Sequence, residues 1–172
     1  HAMLALNPEV RVTALANKLD AVQLDALVPN ATVVVDCCDN FATRQAVNAA
    51  CVKHKVPIVI TSLGARPEVN EAIHSYGGIV LHDIINNKFA HKAIEKGADG
   101  LIAVAAGAGG HAGVKSPFAL IQEIREWFDG PIALSGSIAT GDAVLAAQAM
   151  GADFAYIGSA IIATEEARAA DA

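Results

Sequence analysis

The feature that most constrains this chain is a regular alternation of short apolar runs with longer segments that are apolar on one side only. Seven six-residue runs rich in Val, Ile and Ala cover residues 10–15, 32–37, 57–62, 78–83, 100–105, 131–136 and 154–159. Between them, apolar residues recur at three- and four-residue spacing, as one-sided helices require. Because a helix between two strands returns the chain to the same end, the pattern predicts a parallel sheet. We expect one α/β domain of about seven strand–helix units over residues 1–172.

Helix boundaries are marked by residues that favour them. Four glycines precede the next predicted strand, where a left-handed residue commonly ends a helix: Gly77, Gly97, Gly130 and Gly151. Ser116 followed by Pro117 predicts a helix start, with a capping hydroxyl and a proline in the first turn.

Two architectures fit this alternation: a β/α barrel and an open doubly wound sheet. A complete eight-unit barrel usually needs at least about 200 residues, and this chain has 172. A barrel of this length is therefore incomplete or reclosed. If the sheet stays open, its exposed edges favour a homodimer.

Composition excludes several classes of protein. Apolar residues make up 53% of the chain and charged residues 17%, which argues against disorder. A net charge of -6 with no basic stripe argues against nucleic-acid binding. No apolar run is long enough to span a membrane and no signal peptide is visible, so we expect a cytoplasmic protein expressed recombinantly. Residues 1–4 begin with "HAM", which resembles a tag remnant.

The three cysteines give no sign of a metal site. Cys37, Cys38 and Cys51 lack C-x-x-C spacing, and we interpret them as small buried hydrophobic residues in a reducing compartment.

Glycine and serine follow the last two predicted strands. "LSGSIATG" contains Ser135, Gly136 and Ser137, and "YIGSAIIAT" contains Gly158 and Ser159. Glycine turns ahead of a helix offer backbone N–H groups to an anion, and barrels often bind phosphate after their last two strands. These turns predict a site for phosphate or sulfate, with two ordinary strand-to-helix turns as the alternative.

The stretch "LIAVAAGAGGHAG" carries the richest glycine loop. Gly107, Gly109 and Ala112 can be aligned with a dinucleotide fingerprint, yet the following strand lacks the acidic residue that binds a ribose. His111, at a strand end, is a candidate general base because imidazole titrates near neutrality.

Two roles are possible for the aspartates of "DCCDN", Asp36 and Asp39. The carboxylates can hold Mg²⁺, which prefers oxygen ligands, or Asp39 can cap the helix that starts near Phe41. Spacing alone leaves both open.

Residues from about 5 to 51 resemble one family. The pattern "NPEVRVTAL" followed by "DCCDNFATRQAVNAAC" is similar to the adenylyltransferases that activate sulfur-carrier proteins in thiamine and molybdopterin synthesis. The resemblance implies that Asp39 contacts Mg-ATP, with Asn40 and Arg44 also matching the motif.

Residues from about 52 to 172 resemble another family. "PIVITSLGARPEVNEAIHSYGGIVLHDI", "GLIAVAAGAGGHAG" and "PIALSGSIATG" are similar to the second half of nitronate monooxygenases, which are FMN-dependent β/α (TIM) barrels. The resemblance implies that His111 removes the proton next to the nitro group. It also implies that FMN is bound by the following residues: Gly109, Gly110, Ser135, Gly136, Ser137, Gly158 and Ser159.

These resemblances lead to three functional hypotheses. The first is an engineered chimera without evolved activity, which retains at most a phosphate or FMN site. The second is an FMN-dependent nitronate monooxygenase that uses His111 as its base, and the third is a Mg-nucleotide-binding module that uses Asp39. Since five of the seven strands lie in the barrel-like part, we expect an incomplete or reclosed TIM-barrel-like sheet, with the Rossmann-like doubly wound sheet as the alternative.

Overall fold

Six parallel strands form one sheet and lie side by side in the order in which they occur along the chain. The structure is a computed structural model that describes residues 13, 15, 19–34, 41–62 and 64–162. The strands are β1 (Val33–Val34), β2 (Ile58–Thr61), β3 (Ile79–Ile84), β4 (Gly100–Val104), β5 (Ile132–Ser135) and β6 (Phe154–Tyr156).

Helices alternate with these strands, as the hydrophobic spacing predicted. They are α1 (Ala21–Leu27), α2 (Phe41–Lys53), α3 (Pro67–His74), α4 (Asn87–Glu95), α5 (Pro117–Arg125), α6 (Gly141–Ala149) and α7 (Ser159–Ile162), with a 3-10 helix at Val28–Asn30. Within the described ranges, every helix is too short or too polar to cross a bilayer.

The strand order decides between the two predicted architectures. A doubly wound sheet reverses its order at a switch point, whereas a β/α barrel adds each strand beside the last. The order β1 to β6 has no reversal. The incomplete TIM-barrel-like sheet is therefore confirmed, and the doubly wound alternative is wrong. Among the described strands β1 and β6 are the edges, and dimer formation through such an edge stays a prediction.

The main core lies between the sheet and its helices. Leu101 and Ala103 of β4 are fully buried in a cluster that also contains Leu120 and Ile124 of α5. Ile102 points to the opposite face, since side chains alternate along a strand, and it is buried as well. Burial of β4 on both faces explains its uninterrupted apolar sequence. A smaller cluster joins α1 and α2.

Most of the predicted helix boundaries agree with the structure. The Ser116 hydroxyl accepts a hydrogen bond from the N–H of Ala119 at the start of α5. Gly77, Gly97 and Gly151 have φ of 84°, 92° and 107°, in the left-handed region predicted for them.

Gly130 was predicted wrongly as a left-handed helix end. Its φ is not positive, and α5 already ends at Arg125, five residues earlier in the chain. The Arg125 guanidinium donates to the carbonyl oxygens of Phe128 and Gly130 at 3.1 and 2.8 Å, so a side chain satisfies carbonyl groups in this turn.

Some predicted features lie outside the described residues. They are most of the strand over 10–15, the end of the strand over 32–37, and the pair Cys37 and Cys38. Cys51 is described and is buried, as expected for a small hydrophobic residue.

At two places in this sheet, an aspartate just before one strand forms hydrogen bonds to the neighbouring strand. Asp99 precedes β4, and its carboxylate accepts hydrogen bonds from the N–H of Val80 (2.7 Å) and from Nε2 of His74 (2.8 Å). The Asp99 N–H in turn donates to the carbonyl of Val80 at 2.9 Å. Side chain and backbone of one residue therefore fix the start of β4 against β3.

The same arrangement recurs before β6. The Asp153 carboxylate accepts from the N–H of Ile132 and from the guanidinium of Arg125, both at 2.8 Å, and its N–H donates to the Ile132 carbonyl at 2.8 Å. The sequence repeats with it: Gly-Ala-Asp ends at Asp99 and again at Asp153. The N–H of Ile132, followed by Arg125, holds the pKa of Asp153 below its usual value.

We predict that Asp153→Ala lowers the free energy of unfolding by about 1–3 kcal/mol, because the N–H of the buried Ile132 loses its carboxylate partner. Urea unfolding followed by circular dichroism measures the change. Asp129→Ala is the matched control, since Asp129 is exposed and makes no side-chain hydrogen bond among the described residues. Equal stability of the Asp153 variant and the unchanged protein would contradict the role assigned to this aspartate.

Candidate functional site

A cavity of about 610 Å³ lies at the carboxyl ends of β4, β5 and β6. Its lining is dominated by glycine and serine from the three loops that follow these strands. All seven residues that the sequence predicted for a cofactor line it: Gly109, Gly110, Ser135, Gly136, Ser137, Gly158 and Ser159. We call this cavity the glycine–serine cavity.

Two of its loops interlock. The Ser137 N–H donates to the carbonyl of Gly107 at 3.3 Å, and its hydroxyl donates to the carbonyl of Ala106 at 3.2 Å. A Cβ on Gly107 would lie 2.1 Å from Oγ of Ser137, and one on Gly136 would lie 2.8 Å from the carbonyl oxygen of Ala106. Only glycine allows the loops after β4 and β5 to approach this closely.

Ser137 itself has φ of 56°, an unfavourable value for a residue with a side chain. Its two hydrogen bonds to the neighbouring loop hold this conformation. Backbone strain of this kind is concentrated at functional sites, and here it lies on the cavity wall.

Backbone donors are exposed on the same wall. The N–H groups of Gly109, Gly110 and Gly158 have no hydrogen-bond partner among the residues that the structure describes. A Cβ on Gly110 or Gly158 would meet nothing within 4 Å, so both residues border open space. Unpartnered N–H groups beside open space suit an anion.

A second cavity, of about 560 Å³, adjoins the first. Gly109, Ser135 and Tyr156 line both cavities, so the two share a wall. His111 lines only the second cavity. There it is accompanied by Asp83, whose carboxylate accepts a hydrogen bond from the hydroxyl of Ser62 at 2.7 Å.

His111 is placed on the loop after β4, exposed at the mouth of this second cavity. Its imidazole makes no hydrogen bond to the described residues. The ring is therefore accessible to a molecule in the second cavity, and no described side chain fixes its orientation.

His82 is the second histidine of this cavity, and it is 5% exposed. Its Nδ1 lies 2.7 Å from Oγ1 of Thr61 on the neighbouring strand β2. Burial lowers the pKa of His82; Asp83 opposes this effect and Lys96 adds to it. The ring is therefore neutral over a wider pH range than that of an exposed histidine.

A family model described as nitronate monooxygenase matches residues 14–172 of this chain. The chain belongs to the nitronate monooxygenase family. Its fold is similar to a nitroalkane oxidase from Streptomyces ansochromogenes, with a TM-score of 0.63 and 28% identity over 72% of this chain and 39% of that one. It is also similar to FabK from Thermotoga maritima, with a TM-score of 0.62 and 27% identity over 71% of this chain and 39% of that one.

A shorter stretch of this nitronate monooxygenase family member is similar to a different protein. Over 57 residues it is 47% identical to the sulfur carrier protein ThiS adenylyltransferase of Escherichia coli (strain K12), which is 33% of this chain and 23% of that protein. Both resemblances found in the sequence are therefore confirmed. The chain spans about a quarter of this curated relative and 39% of each solved structure.

The predicted magnesium residues cannot be placed. Asp36, Asp39 and Asn40 lie outside the described residues, and for Arg44 only the helical backbone is described. Among the residues that are described, no group of three or more His, Cys, Asp or Glu side chains is arranged to hold a metal ion.

Sequence reasoning missed several residues of the second cavity. Phe89, Lys92 and Lys96 belong to or follow α4, a segment for which the apolar spacing predicted only a one-sided helix. The sequence assigned Tyr156 only to the predicted strand over residues 154–159. A detectable signal was the polar pair His82-Asp83 at the end of an otherwise apolar strand.

We predict that the free energy of unfolding is highest above about pH 6.5, the usual pKa of histidine, and falls as the pH decreases toward the lowered pKa of folded His82. The sign follows because the unfolded chain binds the proton more readily than the folded one. Urea unfolding at a series of pH values measures the slope.

His82→Asn should flatten this slope, because it removes the buried imidazole. His91→Asn is the control, since His91 is exposed and stacks on Trp127 outside both cavities. Identical slopes for His82→Asn and the unchanged protein would show that another group controls the pH dependence.

Proposed function

We propose that this chain binds FMN and that the glycine–serine cavity holds the phosphate group. One observation carries the proposal: three separate loops bring all seven predicted cofactor residues to one cavity of about 610 Å³. That volume is within the range of small-molecule sites, about 300–1,000 Å³. Membership of the nitronate monooxygenase family supports the same ligand, since the family resemblance implies FMN.

The residues present fit a phosphate in chemistry and in space. Gly109, Gly110 and Gly158 offer unpartnered N–H groups, and Ser159 lines the same cavity. The open space beside Gly110 and Gly158 leaves room for oxygen atoms close to the backbone. Free phosphate or sulfate is expected at the same turns, because they carry the same negatively charged oxygens.

We predict that Gly158→Asp weakens FMN binding at least tenfold, since a carboxylate in the open space repels phosphate and removes the room for it. Quenching of flavin fluorescence during titration measures the affinity. Gly141→Asp is the matched control: Gly141 also has open space beside it, and it lies at the start of α6 outside the cavity.

Riboflavin, which lacks the phosphate, tests the orientation of the ligand. We expect it to bind more weakly than FMN and to bind equally to both glycine variants. The proposal fails if FMN and riboflavin bind alike, or if the two aspartate substitutions have the same effect.

Nitronate oxidation is a second candidate function, and the position of His111 favours it. His111 lines the cavity that shares a wall with the glycine–serine cavity, so a base and a flavin site are neighbours. FMN supplies an electron acceptor when it is bound. In this hypothesis an imidazole nitrogen of His111 takes a proton from the carbon next to the nitro group.

We predict that His111→Gln lowers FMN-dependent, nitroalkane-dependent oxygen consumption by about a hundredfold or more, the usual contribution of a general base. An oxygen electrode measures it on protein saturated with FMN. His91→Gln is the control, and both variants should retain FMN affinity. Unchanged turnover in His111→Gln would exclude this histidine as the base.

The absence of evolved activity and an engineered origin remain proposals. They are supported by the presence of two family resemblances in one chain of 172 residues. The magnesium-nucleotide hypothesis based on Asp39 also stays a prediction.

A further inference from the structure

Tyr156, the last residue of β6, points away from the main core. Leu134 of β5 is buried in that core among the helices. Because side chains alternate along a strand, the next residue, Ser135, points to the opposite face of the sheet. Tyr156 pairs with Ser135 in the parallel register, and residues paired in this way share a face. Its phenol ring therefore lies on the face opposite the main core.

The same residue stands between the two cavities. Among the described residues, Gly109, Ser135 and Tyr156 line both the glycine–serine cavity and the second cavity. Glycine has no side chain and serine has a small one. The half-buried ring of Tyr156 is therefore the one bulky side chain on the shared wall.

Packing within the protein does not account for this ring. Tyr156 belongs to none of the three hydrophobic clusters formed by the described residues. The rest of the described lining of the glycine–serine cavity contains no other phenyl, phenol or indole ring. An aromatic side chain at this place contributes its surface to the cavities and not to the core.

FMN has two ends that differ in chemistry, a phosphate anion and a planar aromatic isoalloxazine ring. The turns that suit phosphate lie on one side of the shared wall, and His111 lies on the other. A flavin that has its phosphate in the first cavity and its ring beside His111 passes Tyr156. Aromatic rings that meet in this way attract each other in offset-stacked or edge-to-face arrangements.

We infer that Tyr156 binds the isoalloxazine ring of FMN, with its phenol ring packed against the flavin at the wall where the two cavities meet. The inference rests on the proposed FMN site. It adds that the flavin ring lies in the second cavity, and it names the side chain that contacts this ring.

The fluorescence of bound FMN tests the inference. A phenol in contact with an excited flavin quenches its emission, because an electron passes from the phenol to the flavin and then returns. We expect FMN bound to the unchanged protein to emit weakly. Tyr156→Phe should lose this quenching, since phenylalanine packs similarly and is a much poorer electron donor.

Tyr76→Phe is the matched control for this measurement. Tyr76 is the other of the two tyrosines of the chain, its hydroxyl donates to the carbonyl of Val56 at 3.0 Å, and it lines neither cavity. The single tryptophan, Trp127, stacks on His91 and also lines neither cavity. Quenching that remains in Tyr76→Phe and is lost in Tyr156→Phe therefore comes from Tyr156.

Removal of the whole ring should also weaken binding. We expect Tyr156→Ala to weaken the binding of both FMN and riboflavin about threefold to tenfold, the usual contribution of one aromatic pair. Gly158→Asp should weaken the binding of FMN alone, because riboflavin has no phosphate. Equilibrium dialysis measures both affinities and separates the ring from the phosphate.

An NMR measurement needs no change at Tyr156. Isotope-labelled tyrosine gives ring signals from Tyr76 and Tyr156 alone, and Tyr76→Phe assigns them. Saturation with FMN should shift the ring signals of Tyr156, because an aromatic ring shifts the nuclei that lie against it. The signals of Tyr76 should stay in place.

The inference is overturned if Tyr156→Phe emits as weakly as the unchanged protein, or if FMN leaves the signals of Tyr156 in place. If FMN still binds and Gly158→Asp weakens it, either result removes the role of Tyr156 and leaves the proposed FMN site intact. Riboflavin binding that depends on Tyr156, with FMN binding that is insensitive to Gly158→Asp, would support the ring contact and remove the phosphate site. Absence of all flavin binding overturns both proposals.

Discussion

The register of the parallel strands is the constraint on which the rest of the structure depends. Asp99 and Asp153 fix it at the amino ends of β4 and β6, each through its carboxylate and its own N–H. The effect reaches the opposite end of the sheet, where Val104, Ser135 and Tyr156 pair side by side as the last residues of β4, β5 and β6. Three loops therefore leave the sheet from one level, and their backbones can form a common wall.

The wall itself depends on the absence of side chains. The loops after β4 and β5 approach so closely that Oγ of Ser137 fills the position a Cβ of Gly107 would need. On the same wall, Gly110 and Gly158 face open space. Close packing on one side and open space on the other come from the same glycine-rich sequence. Loop composition alone therefore did not distinguish a binding site from ordinary strand-to-helix turns.

Local patterns predicted the elements well, and tertiary contacts explain where they failed. The Ser116 cap and the glycines at 77, 97 and 151 act within a few residues, so sequence reveals them. Gly130 was misread because Arg125 binds the carbonyls of that turn, a contact no spacing rule contains. Sequence also placed the seven cofactor residues at strand ends. Their convergence on one cavity depends on strand order, which the alternation of strands and helices left open.

Strand β3 shows how neighbouring residues at one strand end serve different layers of the fold. Alternation sends Asp83 to the face shared with His111 and sends His82 to the helices. A histidine in the helix-facing layer is costly to bury, and its hydrogen bond to Thr61 offsets only part of that cost. An apolar residue would pack there without that cost. That cost is visible in the lowered pKa of His82, so the strand end that supplies a polar lining to the second cavity also makes the fold less stable at low pH.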